Sequence, residues 1–189
     1  MASFQLENTP NPNTVKVNAD QLLYAGTIEY QKALTPNSQF AKDAFEIEGV
    51  EGIFILKDFF TITKSDEASF NEVTPKVLDL VTSYLNEGKS LGEDVVGAPE
   101  ASRELTETEK KIVDVLDKYV RPAVAQDGGD ITYHSFQDGT VYLQMKGACS
   151  GCPSSTATLK QGIEERSLKF YEKNITPVAN FLDIYTIEN

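Results

Sequence analysis

The chain has 189 residues, with 17 basic and 29 acidic side chains and a formal net charge of −12. That balance excludes a general nucleic-acid binder, which needs clustered Lys and Arg to displace phosphate counterions. At 40% hydrophobic residues and without a biased tract, the composition is that of a globular protein with modest cores and no room for a large enclosed active site. No run approaches the ~18 apolar residues of a membrane span. Residues 1–7 have neither a basic n-region nor an Arg-rich amphipathic pattern, so no targeting peptide is expected. The cytoplasm, where thiols stay reduced, is the expected compartment.

The charge is unevenly divided. Residues 1–100 hold seven Lys and no Arg against sixteen carboxylates, whereas residues 101–189 hold ten basic against thirteen acidic groups. The second half therefore lacks the strong repulsion that opposes self-association or an anionic ligand.

After the turn-forming Thr9-Pro10-Asn11-Pro12-Asn13, Val15 and Val17 alternate with polar neighbours as a strand does. Pro36 and Asn37 break the chain, and Ser38 is placed to cap a helix whose buried stripe is Phe40, Ala41, Ala44 and Phe45. Gly49 and Gly52 are expected to bracket a turn. Ile53-Phe54-Ile55-Leu56 and Phe59-Phe60-Thr61-Ile62-Thr63, separated by Lys57-Asp58, form a hairpin pattern. Thr74 and Pro75 are expected to open a helix, with Val77, Leu78, Val81, Tyr84 and Leu85 at helical spacing and Gly88 as its stop.

Periodicity is lost over residues 89–104, which read as a flexible linker between a domain of residues 1–88 and one of residues 105–189. Beyond it, Thr106 and Glu109 form a capping-box pattern, and Ile112, Val115, Leu116 and Tyr119 one apolar face; Pro122 should end or kink that helix near Arg121. Asp127-Gly128-Gly129-Asp130 reads as a turn leading into a strand. Segments 131–136 and 140–146 flank Asp138-Gly139, a strong hairpin dipeptide, with Val141, Leu143 and Met145 facing the core. A helix should then run from the cysteine loop to about Leu168, and residues 175–187 are apolar enough for a last strand. The fold class is thus α+β in two small domains: an N-terminal sheet with two helices, and a C-terminal helix-strand-strand-(Cys loop)-helix-strand unit.

Both cysteines of the chain fall within Gly147-Ala148-Cys149-Ser150-Gly151-Cys152-Pro153. This spacing in a reduced compartment marks metal or redox chemistry. Gly147 and Gly151 let the backbone turn tightly, and Pro153 suits a first helical position. That puts Cys152 at or near the helix N-cap, where the dipole and free N–H groups favour a thiolate. Ser154, Ser155 and Thr156 add hydroxyl donors toward sulfur. Zinc and the common iron–sulfur clusters take four protein ligands. The chain offers two thiolates and His134, which reads better as a solvent-facing strand residue. A complete thiolate site therefore needs two chains, each supplying Cys149 and Cys152. The rival readings are a dithiol oxidoreductase, for which there is no Trp, no Gly-Pro between the cysteines and no βαβ unit leading in, and a structural zinc dimer.

From Gly147 to Thr156, with Arg121-Pro122 and Asp127-Gly128-Gly129-Asp130 before it and Thr158-Leu159-Lys160-Gln161-Gly162-Ile163-Glu164 after it, the sequence resembles the C-terminal NifU domain of iron–sulfur assembly proteins. Residues 1–88 resemble the N-terminal domain of Nfu proteins through Thr9-Pro10-Asn11-Pro12-Asn13, Phe45-Glu46-Ile47-Glu48-Gly49-Val50 and Phe60-Thr61-Ile62-Thr63-Lys64, although Phe70 stands where that domain usually has Trp. The resemblance implies a non-catalytic homodimer that binds a [4Fe–4S] cluster on paired loops, with Cys149 and Cys152 as ligands. It also implies that the cluster passes to client apo-proteins; the acidic N-terminal domain is expected to recognise such partners or an upstream assembly scaffold. Neither nucleic acid nor membrane is an expected partner.

Cys149→Ser and Cys152→Ser are expected to act alike, each leaving two thiolates per dimer and abolishing stable cluster binding, as visible absorption after anaerobic reconstitution reads directly. Asymmetric behaviour, with a mixed disulfide trapped in one variant alone, is the mark of the oxidoreductase.

Overall fold

Val15 and Val17 lie in a strand whose alternate side chains face two helices, and the first unit of the chain is built around that alternation. The computed structural model describes residues 2–34, 37–92, 105–137 and 140–150, together with the backbone of residues 183–187. The chain divides into two units, Met1–Ser102 and Arg103–Asn189.

In the first unit, β1 (Phe4–Asn8), β2 (Thr14–Ala19), β3 (Tyr24–Gln31), α1 (Gln39–Glu46), β4 (Val50–Lys57), β5 (Phe59–Lys64) and α2 (Phe70–Asn86) follow one another. The sheet order is β1-β2-β5-β4-β3, with every neighbour antiparallel. One face gives Val15, Val17, Ile53, Ile55, Phe60 and Ile62 to a core shared with Phe40, Ala41 and Ala44 of α1 and Val73, Val77, Val81 and Tyr84 of α2. On the alternate positions Lys16 sits 4.6 Å over the Phe59 ring and 3.6 Å from Glu7. There its aliphatic stem covers apolar surface while the ammonium keeps a charged partner.

The local signals are met at several points. Ser38 caps α1, its hydroxyl accepting from the Ala41 N–H. The Lys57-Asp58 connection turns because Lys57 adopts φ 49°, and its carbonyl accepts from the Leu23 N–H at 2.7 Å. Gly88, at φ 65°, ends α2: its N–H bonds the Leu85 carbonyl and the Lys89 N–H bonds the Tyr84 carbonyl. That pair is the Schellman closure, which needs a left-handed residue.

Four expectations change in this unit. β1 and β3, which the pattern reading missed, are the two edges of the sheet, where one neighbour and partial burial leave little alternation to read. Gly52 lies inside β4, at a bulge between Val50 and Gly52, while Gly49 alone takes the turn at φ 90°. α2 begins at Phe70 on a Ser69 cap rather than at Thr74-Pro75. Pro75 is tolerated inside the helix because it and Asn71, whose carbonyl it leaves without a helical donor, are both exposed to water. The start of the expected linker is also folded: Leu91 is 1% exposed in the core, and its carbonyl accepts from the Tyr30 phenol at 3.2 Å. The remainder of the linker, residues 93–104, lies outside the described residues.

The second unit opens with the expected capping box, Thr106 and Glu109 bonding each other's backbone N–H groups at the head of α3 (Glu107–Val115). A π-helical turn, Leu116–Val120, joins it to α4 (Arg121–Gln126). The expected break near Arg121 is thus a widened turn: Pro122 sits in the first turn of α4, and the Arg121 N–H reaches back to the Leu116 carbonyl. The wider turn shifts the helical phase, so that Leu116, Val120 and Val124 are buried and Tyr119, expected on the apolar face, is 52% exposed. β6 (Gly129–Gln137) and β7 (Thr140–Gly147) form an antiparallel hairpin, with β8 (Asp183–Ile187) parallel beside β7. Val141, Leu143 and Met145 face the core as expected, with Ile112, Leu116, Val120, Val124 and Ile131. Asp138-Gly139 and the helix expected to reach Leu168 lie outside the described residues.

Replacing Leu91 by Ala separates a folded segment from a linker. As a core residue it should cost about 2–5 kcal/mol in urea unfolding, where a linker position costs within about 0.5 kcal/mol.

Candidate metal centre

β7 delivers the cysteine loop. Its last residue, Gly147, takes φ 66°, and the Ser150 N–H bonds the Gly147 carbonyl at 3.0 Å, closing a turn with Ala148 and Cys149 at its centre. A second tight turn lies against it. Gly128, at φ 84°, leads α4 into β6, and its carbonyl accepts from the Ala148 N–H at 3.1 Å. Gly129 pairs with Gly147 at the end of the β6–β7 ladder. The result is that Cys149 folds back over the start of β6.

Cys149 is 4% exposed and joins the apolar cluster of Ile131, Leu143 and Met145. A thiol so placed is sheltered from solvent. Cys152, Gly151, Pro153 and the hydroxyls of Ser154, Ser155 and Thr156 lie outside the described residues. His134 is exposed at the bulge between Tyr133 and Ser135, with Nδ1 3.3 Å from the Ser135 Oγ. Five residues along β6 from Gly129, it is about 17 Å from the cysteine end of the strand. It keeps its expected solvent-facing place, away from Cys149. Among the described residues no three His, Cys, Asp or Glu side chains gather into a metal site. The donor that is described, a cysteine sulfur on a glycine-flanked turn, has the softness that iron and zinc sites use.

The Asp127-Gly128-Gly129-Asp130 segment is the expected turn and strand start, but Asp130 does more than turn the chain. It is 4% exposed, and its Oδ1 accepts from Arg121 Nε at 3.0 Å and from the Ile131 N–H at 2.8 Å, while Oδ2 accepts from Arg121 Nη2 at 3.3 Å. Arg121 also donates to the Ile131 carbonyl and, through Nη1, to Asp117. Burial presses the guanidinium pKa down. The hydrogen bonds and charges of Asp130 and Asp117 outweigh that, leaving it above its ordinary value. The pair ties α4 to the strand on which the cysteine turn rests. Its signal was legible in Arg121-Pro122 and Asp130, but only the π turn brings the two together. Glu109 is a second anchor: 3% exposed, it accepts from the Tyr133 phenol at 2.7 Å and from Thr106, fixing the head of α3 to β6.

This α+β unit, with Cys149 on a turn at the end of β7, is a small domain distinct from the sheet-and-helix unit before it. The NifU-like domain family matches residues 112–178, and the family described as scaffold protein Nfu/NifU N terminal matches residues 4–88. The human protein named NFU1 iron-sulfur cluster scaffold homolog, mitochondrial, is 36% identical over 184 residues, covering 95% of this chain and 72% of the human one. The chain therefore belongs to the Nfu/NifU family. NifU-like protein 4, mitochondrial, of Arabidopsis thaliana is 36% identical over 181 residues, covering 88% of this chain and 62% of that protein. The chain thus spans about two thirds of the length of these relatives. The solution structure of a NifU-like protein from Saccharomyces cerevisiae is 26% identical, with a TM-score of 0.45, over 50% of this chain and 87% of that one.

Arg121→Ala strands a buried Asp130 with one of its donors removed. The expected cost is about 1–3 kcal/mol, reduced by the partial exposure of Arg121. Chemical unfolding of the full chain, followed by a probe in the C-terminal unit, checks it.

Proposed function

We propose that this chain is an iron–sulfur cluster assembly protein of the carrier type. Two copies meet at their cysteine loops, Cys149 and Cys152 of each hold one [4Fe–4S] cluster between them, and the cluster then passes to client apo-proteins. The cluster is cargo, and the chemistry is ligand exchange rather than turnover. Each iron trades one cysteine thiolate for a client thiolate, no electrons move, and the departing cysteine is free to take up a proton. An intersubunit site offers release by dissociation of the pair. The printed names of the human and Arabidopsis relatives, an iron–sulfur cluster scaffold homolog and a NifU-like protein, support the reading.

The observation that carries it is the ligand count. The chain's two cysteines fall within one short Cys-x-x-Cys stretch, the described one lies on a turn at the end of β7, and a cubane asks for four thiolates. The acidic first domain is proposed to meet the upstream scaffold and the clients, since charge of that kind mainly governs encounter and partner choice. A membrane role is not proposed, and no helix among the described residues is long and apolar enough to cross one. The compartment is proposed as the cytoplasm; the human and Arabidopsis relatives are named as mitochondrial, and cell fractionation decides between the two.

Because half a site exists until two loops meet, whatever binds the pair but not the single chain must strengthen association. Anaerobic loading with iron and sulfide should give about four iron and four sulfide per dimer and move the chain from monomer to dimer in sedimentation velocity, with chelation reversing the shift. A cluster-loaded monomer, or tight zinc without iron uptake, refutes the carrier.

A further inference from the structure

Two glycines stand side by side in the turn before β6, and they are glycine for different reasons. Gly128 has φ 84°, a left-handed conformation that an L side chain strains to adopt. Gly129 is not in that region; it is limited by space instead. A Cβ on Gly129 would lie 2.6 Å from Cys149 Sγ, 3.1 Å from Cys149 Cβ and 2.8 Å from the Lys146 carbonyl oxygen. Ordinary contact between such atoms is about 3.5–4.0 Å, so the sulfur would have to retreat by roughly 1 Å. The α-carbon of Gly129 is thus the floor on which the Cys149 sulfur rests. Among the described residues, Ile131, Leu143 and Met145 share an apolar cluster with Cys149, which is 4% exposed.

We propose that Gly129 is a positioning residue for Cys149: its bare α-carbon is the seat of the sulfur, and that seat keeps the thiol stowed inward in the unloaded chain until it is lifted out to take a ligand. The structural half of this inference stands on the contact alone; its meaning for cargo rests on the carrier reading above. A stowed thiol is shielded from alkylation and oxidation, since such reactions need an accessible sulfur. The seat is glycine-specific because the sulfur and a Cβ claim the same volume. The floor is held from below by its neighbour, Asp130, through Arg121, and from the side by the pairing of Gly129 with Gly147.

The test uses the full chain without iron, in a Cys152→Ser background so that one thiol is read. Gly129→Ala should raise the rate of Cys149 alkylation by iodoacetamide, followed by mass spectrometry, on the order of tenfold. Gly128→Ala, which strains the same turn through its left-handed φ of 84°, should raise it far less. Melting of Gly129→Ala, Cys149→Ala and the double variant keeps the idea testable if the single variant folds poorly. Removing the sulfur should recover much of the melting temperature that Gly129→Ala loses, because the second change relieves the clash that the first creates. An unchanged alkylation rate in a folded Gly129→Ala chain overturns the seat. So does a double variant as unstable as the sum of its parts, which would show that the Lys146 carbonyl alone demands glycine. Neither readout needs iron, so failure of the carrier reading leaves this one standing, and wild-type loading beside an unchanged alkylation rate overturns this one alone.

Discussion

The pairing of Gly129 with Gly147 governs the second unit of this chain, because it brings two turns with left-handed glycines into one place. Gly147 reverses the chain after β7, Gly128 reverses it before β6, and the Ala148 N–H bonds the Gly128 carbonyl across the gap. A side chain at position 129 would hold the two turns apart, since a Cβ there meets the Lys146 carbonyl at 2.8 Å as well as the Cys149 sulfur at 2.6 Å. The close approach is what carries Cys149 off the strand and onto the edge of the apolar core, instead of out along the line of β7.

What supports that junction is polar and buried. Asp130 and Glu109 are carboxylates at 4% and 3% exposure, and each has several donors: Arg121 and the Ile131 N–H for one, Tyr133 and Thr106 for the other. Buried charge is tolerated when it is paired and hydrogen-bonded in this way. Both carboxylates join the helical segment to β6, so the strand below the cysteine turn is fixed at its start and near its middle. The π turn belongs to the same arrangement. By widening the helix between Val115 and Arg121, it buries Val120, leaves Tyr119 in water and lets Arg121 span Asp117 and Asp130.

Much of the first unit answers to different physics. Its sheet is antiparallel throughout, and its core forms on the side that takes α1 and α2. The central strands were legible because β-branched and aromatic residues dominate Ile53–Leu56 of β4 and Phe59–Thr63 of β5, and because Val15 and Val17 alternate with polar residues in β2. The edges β1 and β3 were not, since a strand with one neighbour need not alternate strongly. Leu91 and Tyr30 extend the unit beyond the expected end of its last helix. No periodicity in Gly88-Lys89-Ser90-Leu91-Gly92 announces that a single leucine turns back into the core.

The sequence by itself determined what local rules decide. Ser38 and the Thr106/Glu109 box start helices because short polar side chains satisfy orphan N–H groups. Gly88 stops one because it tolerates the left-handed conformation. Val141, Leu143 and Met145 face inward because strand side chains alternate. The cysteine pair, the count of two thiolates and the family resemblance were legible for the same reason, as they are properties of short stretches of chain. The tertiary structure decided the start of α2 before Pro75, where solvent can serve the carbonyl that the proline leaves bare, and the phase of the helix through Pro122, where Arg121 and Asp130 meet only once the chain has folded. It alone decided that Gly129 is crowded: a side chain there would meet the Lys146 carbonyl and the sulfur of Cys149, seventeen and twenty residues away in sequence, and contacts between distant residues leave no trace in local pattern.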